Sequence, residues 1–146
     1  MTHIAKAAPK GIVTPLATPL NQDETLDRSA FQRLIERQVE AGVDGIFALG
    51  TVGEGPLLPE EVRIETVRAA VEAAAGAVSV FAGAMDNSIR RVLDRLDAVA
   101  RAGADAAAVT LPYYGWYPHR DAAVEFFLGI ADRSPLPVIV YNLPRV

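Results

Sequence analysis

Gly45-Ile46-Phe47-Ala48-Leu49-Gly50-Thr51-Val52-Gly53-Glu54 is the stretch on which the fold turns, because an apolar run too short for a helix passes directly into a glycine-rich loop bearing a hydroxyl. A strand that stays apolar on consecutive residues is buried on both faces, which points to a parallel sheet covered by helices. Small residues and a hydroxyl just past the carboxyl end of such a strand stand where β/α enzymes carry out chemistry.

The same alternation continues on either side. Upstream, residues 12–17 (Ile-Val-Thr-Pro-Leu-Ala) read as a first buried strand, followed by a polar turn around Asn21 to Glu24 and a helix capped near Asp27. Phe31, Leu34, Ile35 and Val39 form an apolar stripe on that helix, and Gly42 ends it. Downstream, Pro59 in the first turn and the acidic pair Glu60-Glu61 open a helix whose buried side is Val62, Val67, Ala70, Val71 and Ala74. A strand at Val78 to Ala82 follows. The next helix opens near Asn87-Ser88 with Ile89, Val92, Leu93, Leu96 and Val99 inward, then a strand from Ala106 to Leu111. A helix from about Asp121 through Val124, Phe126, Phe127 and Ile130 precedes the strand Val138-Ile139-Val140-Tyr141.

Self-similarity supports this frame, since Glu40-Ala41-Gly42-Val43-Asp44-Gly45 recurs two units later as Arg101-Ala102-Gly103-Ala104-Asp105-Ala106, each at a helix-to-strand junction. The fold class is therefore α/β. Two architectures compete: a five-stranded doubly wound sheet of flavodoxin type, which suits 146 residues, and the first part of a (β/α)8 barrel, which takes about 250 residues when complete. A flavodoxin-like fold calls for a ligand loop or acidic cluster after its first strand. Thr14-Pro15-Leu16-Ala17-Thr18-Pro19 is neither.

Bulk properties narrow the function classes. A hydrophobic share of 51% with 22% charged residues is that of a globular chain, not a disordered one. A net charge of −4 gives no basic field to draw in nucleic acid or an anionic membrane surface, so small molecules are the expected partners. No cysteine is present, which excludes disulfides, thiolate metal sites and a cysteine nucleophile and fits a reducing compartment. The terminus Met1-Thr2-His3-Ile4-Ala5-Lys6 lacks the apolar core of a signal peptide, and no apolar stretch is long enough to span a membrane. The expectation is a cytoplasmic protein.

The loop Gly50 to Gly55 lacks the lysine and spacing of a nucleotide phosphate loop, and the glycine positions of a dinucleotide fingerprint. It is either a tight strand-to-helix turn or a seat where backbone N–H groups and the Thr51 hydroxyl hold a carboxylate. Glu54 could serve there as a base or cap local backbone donors. Thr110-Leu111-Pro112-Tyr113-Tyr114-Gly115-Trp116-Tyr117 packs aromatics just past a strand end, as a binding surface, a subunit contact or core under a long loop. Tyr141 puts a phenol at the top of the sheet, as a proton carrier or a buried tyrosine with a satisfied hydroxyl. His3 and His119 have no second imidazole or carboxylate at metal spacing, and no metal or cofactor is expected.

Taken together and in this order, Gly50-Thr51-Val52-Gly53-Glu54, Thr110 to Tyr114 and Tyr141-Asn142-Leu143-Pro144 resemble the dihydrodipicolinate synthase and N-acetylneuraminate lyase family from about Gly11 onward. The resemblance implies a (β/α)8 barrel, of which residues 1–146 supply about the first four and a half β/α units as one incomplete domain. It implies class I aldolase chemistry, a carbon–carbon lyase or synthase in which a lysine forms a Schiff base with pyruvate or another 2-keto acid, in a homo-oligomer (dimer or tetramer). On this resemblance Tyr141 is the proton shuttle, Thr51 the hydroxyl relay and Tyr114 a tyrosine contributed across a dimer contact. Val52 and Gly53 lend backbone amides to the keto-acid carboxylate.

Three departures qualify the resemblance. Val52 stands where the family usually has Thr or Ser, leaving the carboxylate to the backbone. Dihydrodipicolinate synthases carry an arginine five residues after the tyrosine for a second substrate; here Arg145 stands at four and Val146 at five. The family's lysine lies on the strand after the one bearing Tyr141, whereas this chain has only Lys6 and Lys10, both before the first strand. An imine needs a desolvated amine beside the carbonyl, so the chain as it stands is expected to be inactive. Either it is the amino-terminal part of a longer enzyme, the simpler account, or a half-barrel that assembles with another chain. The alternative to an aldolase is a non-catalytic α/β module that binds a small carboxylate or a partner chain.

Overall fold

A computed structural model of the chain describes residues 10–114 and 119–143. Strands β1 (Val13–Pro15), β2 (Gly45–Ala48), β3 (Ser79–Gly83), β4 (Ala106–Val109) and β5 (Val138–Val140) alternate with helices α1 (Arg28–Glu40), α2 (Glu60–Ala74), α3 (Ile89–Arg101) and α4 (Arg120–Ala131). The strands form one sheet in the order β1-β2-β3-β4-β5, and every neighbouring pair is parallel. That order decides between the two architectures. A doubly wound sheet reverses its strand order at a switch point, whereas a β/α barrel lays each strand beside the one before it.

The sheet presents one residue in two to the helices. Ile46 pairs with Val80, and Ala48 with Ala82, which in turn pairs with Ala107. These join Phe31 and Ile35 of α1, Val67 and Ala70 of α2, Val92 and Leu96 of α3, and Phe126 and Ile130 of α4 in one apolar cluster. Each Val, Leu, Ile or Phe among them contributes about 1.5–3 kcal/mol by leaving water, and each alanine less. On the other face Phe81 lies against Gly45, where a Cβ would come within 2.6 Å of the ring.

The repeated junction segment performs the same two tasks both times. After α1, Gly42 takes φ +75°, and the N–H groups of Gly42 and Val43 donate to the carbonyls of Val39 and Gln38. After α3, Gly103 takes φ +98°, and Gly103 and Ala104 donate to Ala100 and Val99. Both are Schellman closures that satisfy the last free carbonyls of the helix. The aspartate that follows then grips the neighbouring strand. Asp44 donates its N–H to the Ile12 carbonyl (2.9 Å) and accepts the Ile12 N–H on Oδ2 (2.7 Å). Asp105 makes the same exchange with Val80, at 2.8 and 2.9 Å.

The elements correct the sequence reading at several boundaries. Most strands are shorter than expected, with β1 confined to Val13–Pro15, β4 ending at Val109 and β5 at Val140, while β3 keeps its length but shifts by one residue to Ser79–Gly83. Pro59 is the N-cap of α2 rather than part of its first turn. Val124 is 49% exposed, because it lies two residues, about 200°, from Phe126 on a helix whose inward face is set by Phe126 and Ile130.

Asp27 caps α1 as expected, accepting the Ala30 N–H at 2.9 Å. That bond, and then the one from the Ser29 hydroxyl, hold its carboxyl below the ordinary value of 3.8. A depressed carboxyl stabilises the fold above its unfolded value and loses that contribution as pH falls through the lowered one. The urea midpoint of the wild type should therefore exceed that of Asp27→Ala by a constant margin near neutrality, and the two should converge in strong acid. A margin unchanged down to pH about 2 would contradict this sign.

A candidate active site at the carboxyl ends of the strands

The glycine-rich loop is shaped by backbone packing. The Leu49 carbonyl oxygen lies so close to Gly55 and Gly83 that a Cβ on either would stand 2.1 Å from it. A Cβ on Gly53 would stand 2.7 Å from the Leu16 carbonyl oxygen, and the Thr18 hydroxyl donates to the Gly53 carbonyl at 2.8 Å. Two non-glycine residues, Leu49 (φ +60°) and Glu54 (φ +52°), take left-handed backbone at either end of the loop. Such conformations cost about 1–3 kcal/mol each and persist where surrounding structure dictates them. Gly53 is buried, whereas Thr51 and Val52 stand at the exposed tip. Among the described residues no acceptor takes the N–H of Val52 or Gly53.

Tyr141 arrives at this loop from the far edge of the sheet. Its N–H donates to the Val109 carbonyl at 2.9 Å, carrying the β4–β5 pairing one residue beyond the strand. Its ring stands edge-on to Phe47, with centroids 5.5 Å apart at 88°. Its hydroxyl comes within 3.4 Å of Thr51 Oγ1. This is long for a bond between hydroxyls. Phe47 was not singled out from the sequence, where it reads as one more apolar strand residue. It also lies against Gly50, where a Cβ would approach its ring to 2.6 Å. Beside Tyr141 a small cavity of about 40 Å³ is lined by Thr110, Leu111, Phe127, Val140, Asn142 and Leu143. The buried Thr110 hydroxyl has no partner among the described residues.

The structure thus brings Thr51 and Tyr141 together, with Val52 and Gly53 on the same loop, but leaves Tyr114 apart. Tyr114 is 85% exposed. Asn87 accepts the N–H groups of both Tyr113 (2.9 Å) and Tyr114 (2.8 Å) on its Oδ1. Trp116, Tyr117, Pro144, Arg145, Val146, His3 and Lys6 lie outside the described residues. Glu54 does not cap as expected: its side chain makes no capping bond, and its left-handed backbone instead donates to the Thr51 carbonyl and accepts from Leu57. His119 is the exposed N-cap of α4, again without a capping bond. Among the described residues no three His, Cys, Asp or Glu side chains cluster as metal ligands, and no helix is long and apolar enough to cross a membrane.

Sequence reasoning missed an ionic network under the site. Asp86, 1% exposed, accepts from Arg91 (2.8 Å) and Arg95 (2.6 Å), and Arg95 reaches Glu60 at 3.2 Å. Arg63, 3% exposed, donates to the Gly83 carbonyl at 3.3 Å. In the sequence these arginines resemble the solvated face of a helix; Arg91 does remain largely exposed, whereas Arg63 and Arg95 are covered.

The family model for the dihydrodipicolinate synthetase family matches residues 8–146. The chain belongs to that family. It is 40% identical over 135 residues to the 4-hydroxy-tetrahydrodipicolinate synthase of Chelativorans sp. (strain BNC1), covering 92% of this chain and 46% of that protein. Among solved structures it is similar to YagE, a prophage protein of the dihydrodipicolinic acid synthase family from E. coli K12 determined in complex with pyruvate, at 34% identity and TM-score 0.85 over 92% of this chain and 45% of YagE. It is likewise similar to the 4-hydroxy-tetrahydrodipicolinate synthase of Methylacidiphilum fumariolicum SolV, at 34% identity and TM-score 0.86 over 92% and 44%. The chain thus spans about half the length of the relatives it matches. Its sheet is part of a family barrel.

Packing around Leu49 carries a prediction. Gly83→Ala or Gly55→Ala, which drive a Cβ into a backbone oxygen, should destabilise the chain by more than about 3 kcal/mol. Gly42→Ala, with open space at its Cβ, should cost only the left-handed backbone penalty of about 1–2 kcal/mol. Equal denaturant midpoints for Gly83→Ala and Gly42→Ala would refute the packing argument.

Proposed function

We propose that this chain is the amino-terminal part of a Schiff-base (class I) aldolase, lyase or synthase acting on pyruvate or a related 2-keto acid in the cytoplasm. One observation carries the reading: the hydroxyls of Thr51 and Tyr141, 90 residues apart in sequence, lie 3.4 Å apart over the carboxyl ends of β2 and β5. In this reading the free N–H groups of Val52 and Gly53 receive the keto-acid carboxylate. Tyr141 relays to the ketone oxygen the two protons that the attacking amine gives up, so that the oxygen leaves as water as the imine forms. Thr51 extends that relay through its hydroxyl, returning to its starting protonation state, and Tyr114 serves a neighbouring copy in a homo-oligomer. YagE, a relative with bound pyruvate, supports the choice of substrate class.

The amine comes from elsewhere. Residues 11–146 contain no lysine, and Lys10 is exposed ahead of β1. Residues 1–146 are then a single incomplete domain, and a lysine on a strand following β5 completes the site. The same observation favours a second behaviour for the chain by itself, namely reversible carboxylate binding by the loop amides without imine formation.

Borohydride reduction in the presence of pyruvate separates these. The complete gene product should gain the mass of a reduced pyruvate adduct, and residues 1–146 alone should not, while calorimetry detects reversible pyruvate binding to them. In the complete protein Tyr141→Phe should lower kcat by about 100-fold or more, the usual scale for removing a positioned proton carrier. Absence of any adduct on the complete protein would overturn the proposal.

A further inference from the structure

We infer that Asn87 is a positioning residue that sets the direction of the Tyr114 phenol by holding two consecutive backbone N–H groups of the β4–α4 loop. The inference rests on the reading of Tyr114 as a catalytic group given above. The identity of the atom is settled by its partners: both neighbours are N–H donors, so the side-chain oxygen must face them. Successive N–H groups converging on one oxygen fix the local backbone direction as a single bond cannot. The Tyr114 ring, 85% exposed, has almost no packing of its own to orient it, so this backbone anchor governs where it points.

Asn87 is itself immobilised from below. Its N–H donates to Asp86 Oδ1 at 2.6 Å, and Asp86 is buried between Arg91 and Arg95. The next residue, Ser88, caps α3 by accepting the Arg91 N–H. A chain of contacts therefore runs from the α2–α3 ionic network through Asp86 and Asn87 to a tyrosine in a different loop. No member of it touches the Thr51–Tyr141 pair.

Variants of the complete gene product test this. Asn87→Ala should speed amide exchange at Tyr113 and Tyr114 by about 10-fold or more. It should also lower kcat about 10-fold while the KM for pyruvate stays within about twofold, because the carboxylate loop is untouched. Asn87→Asp keeps an acceptor oxygen at the amino end of α3 and should retain wild-type exchange and most of kcat. In a Tyr114→Phe background, Asn87→Ala should cost less than about twofold more. Unchanged amide exchange in Asn87→Ala, or its full kcat loss repeated in the Tyr114→Phe background, would overturn the inference. Failure of the wild type to form a pyruvate adduct would instead remove the functional reading, and the exchange rates alone would then decide whether Asn87 holds the loop.

Discussion

The carbonyl oxygen of Leu49 sits between Gly55 and Gly83 at a separation that no side chain permits, and the top of the sheet is organised around that contact. On one side it ties the loop after β2 to the end of β3; on the other it forces the chain through left-handed backbone at Leu49 and Glu54. The loop cannot relax without breaking these approaches, so Thr51, Val52 and Gly53 are presented in one arrangement. On the function proposed above, a ligand carboxylate would meet donors already in place, which lowers the ordering cost of binding.

Rigidity at the top depends on regularity at the bottom. The Schellman closures at Gly42 and Gly103, each followed by an aspartate that grips the preceding strand, bring β2 and β4 into register by the same bonds. Between these ends the apolar cluster holds the helices against one face of the sheet. The ionic network of Asp86, Arg95, Glu60 and Arg91 then joins α2 to the start of α3 beneath the loops. Removing one member of such a buried pair costs about 3–5 kcal/mol because a charge is left without its partner. That cost applies to the buried Asp86–Arg95 pair, since Arg91 and Glu60 are largely exposed.

Much of the frame was legible because it is written in local signals. Asp27 before α1, Ser88 before α3, and Gly42 and Gly103 after them mark boundaries through hydrogen bonds made within a few residues. The recurrence of Ala-Gly-x-Asp made the unit visible, although the aspartate's partner lies on another strand and could not be read. Glu54 was misread because a left-handed backbone is decided by neighbours, not by its own side chain. Phe47, Arg63 and Asn87 act on partners in elements distant along the chain, at Tyr141, Gly83 and Tyr113, which local sequence does not show, and Asp86 meets Arg91 and Arg95 of the following helix only once the loop after β3 is folded.

What the sequence determined by itself was the α/β alternation, the family resemblance and the residues Thr51 and Tyr141, since periodicity, caps and motifs are properties of short stretches. Tertiary structure decided the rest. Strand order, which separates a barrel from a doubly wound sheet, depends on which edges pair, and that is a contest between distant segments. So too is the meeting of the Thr51 and Tyr141 hydroxyls, which exists only because parallel strands laid side by side in chain order bring all their carboxyl ends to one rim.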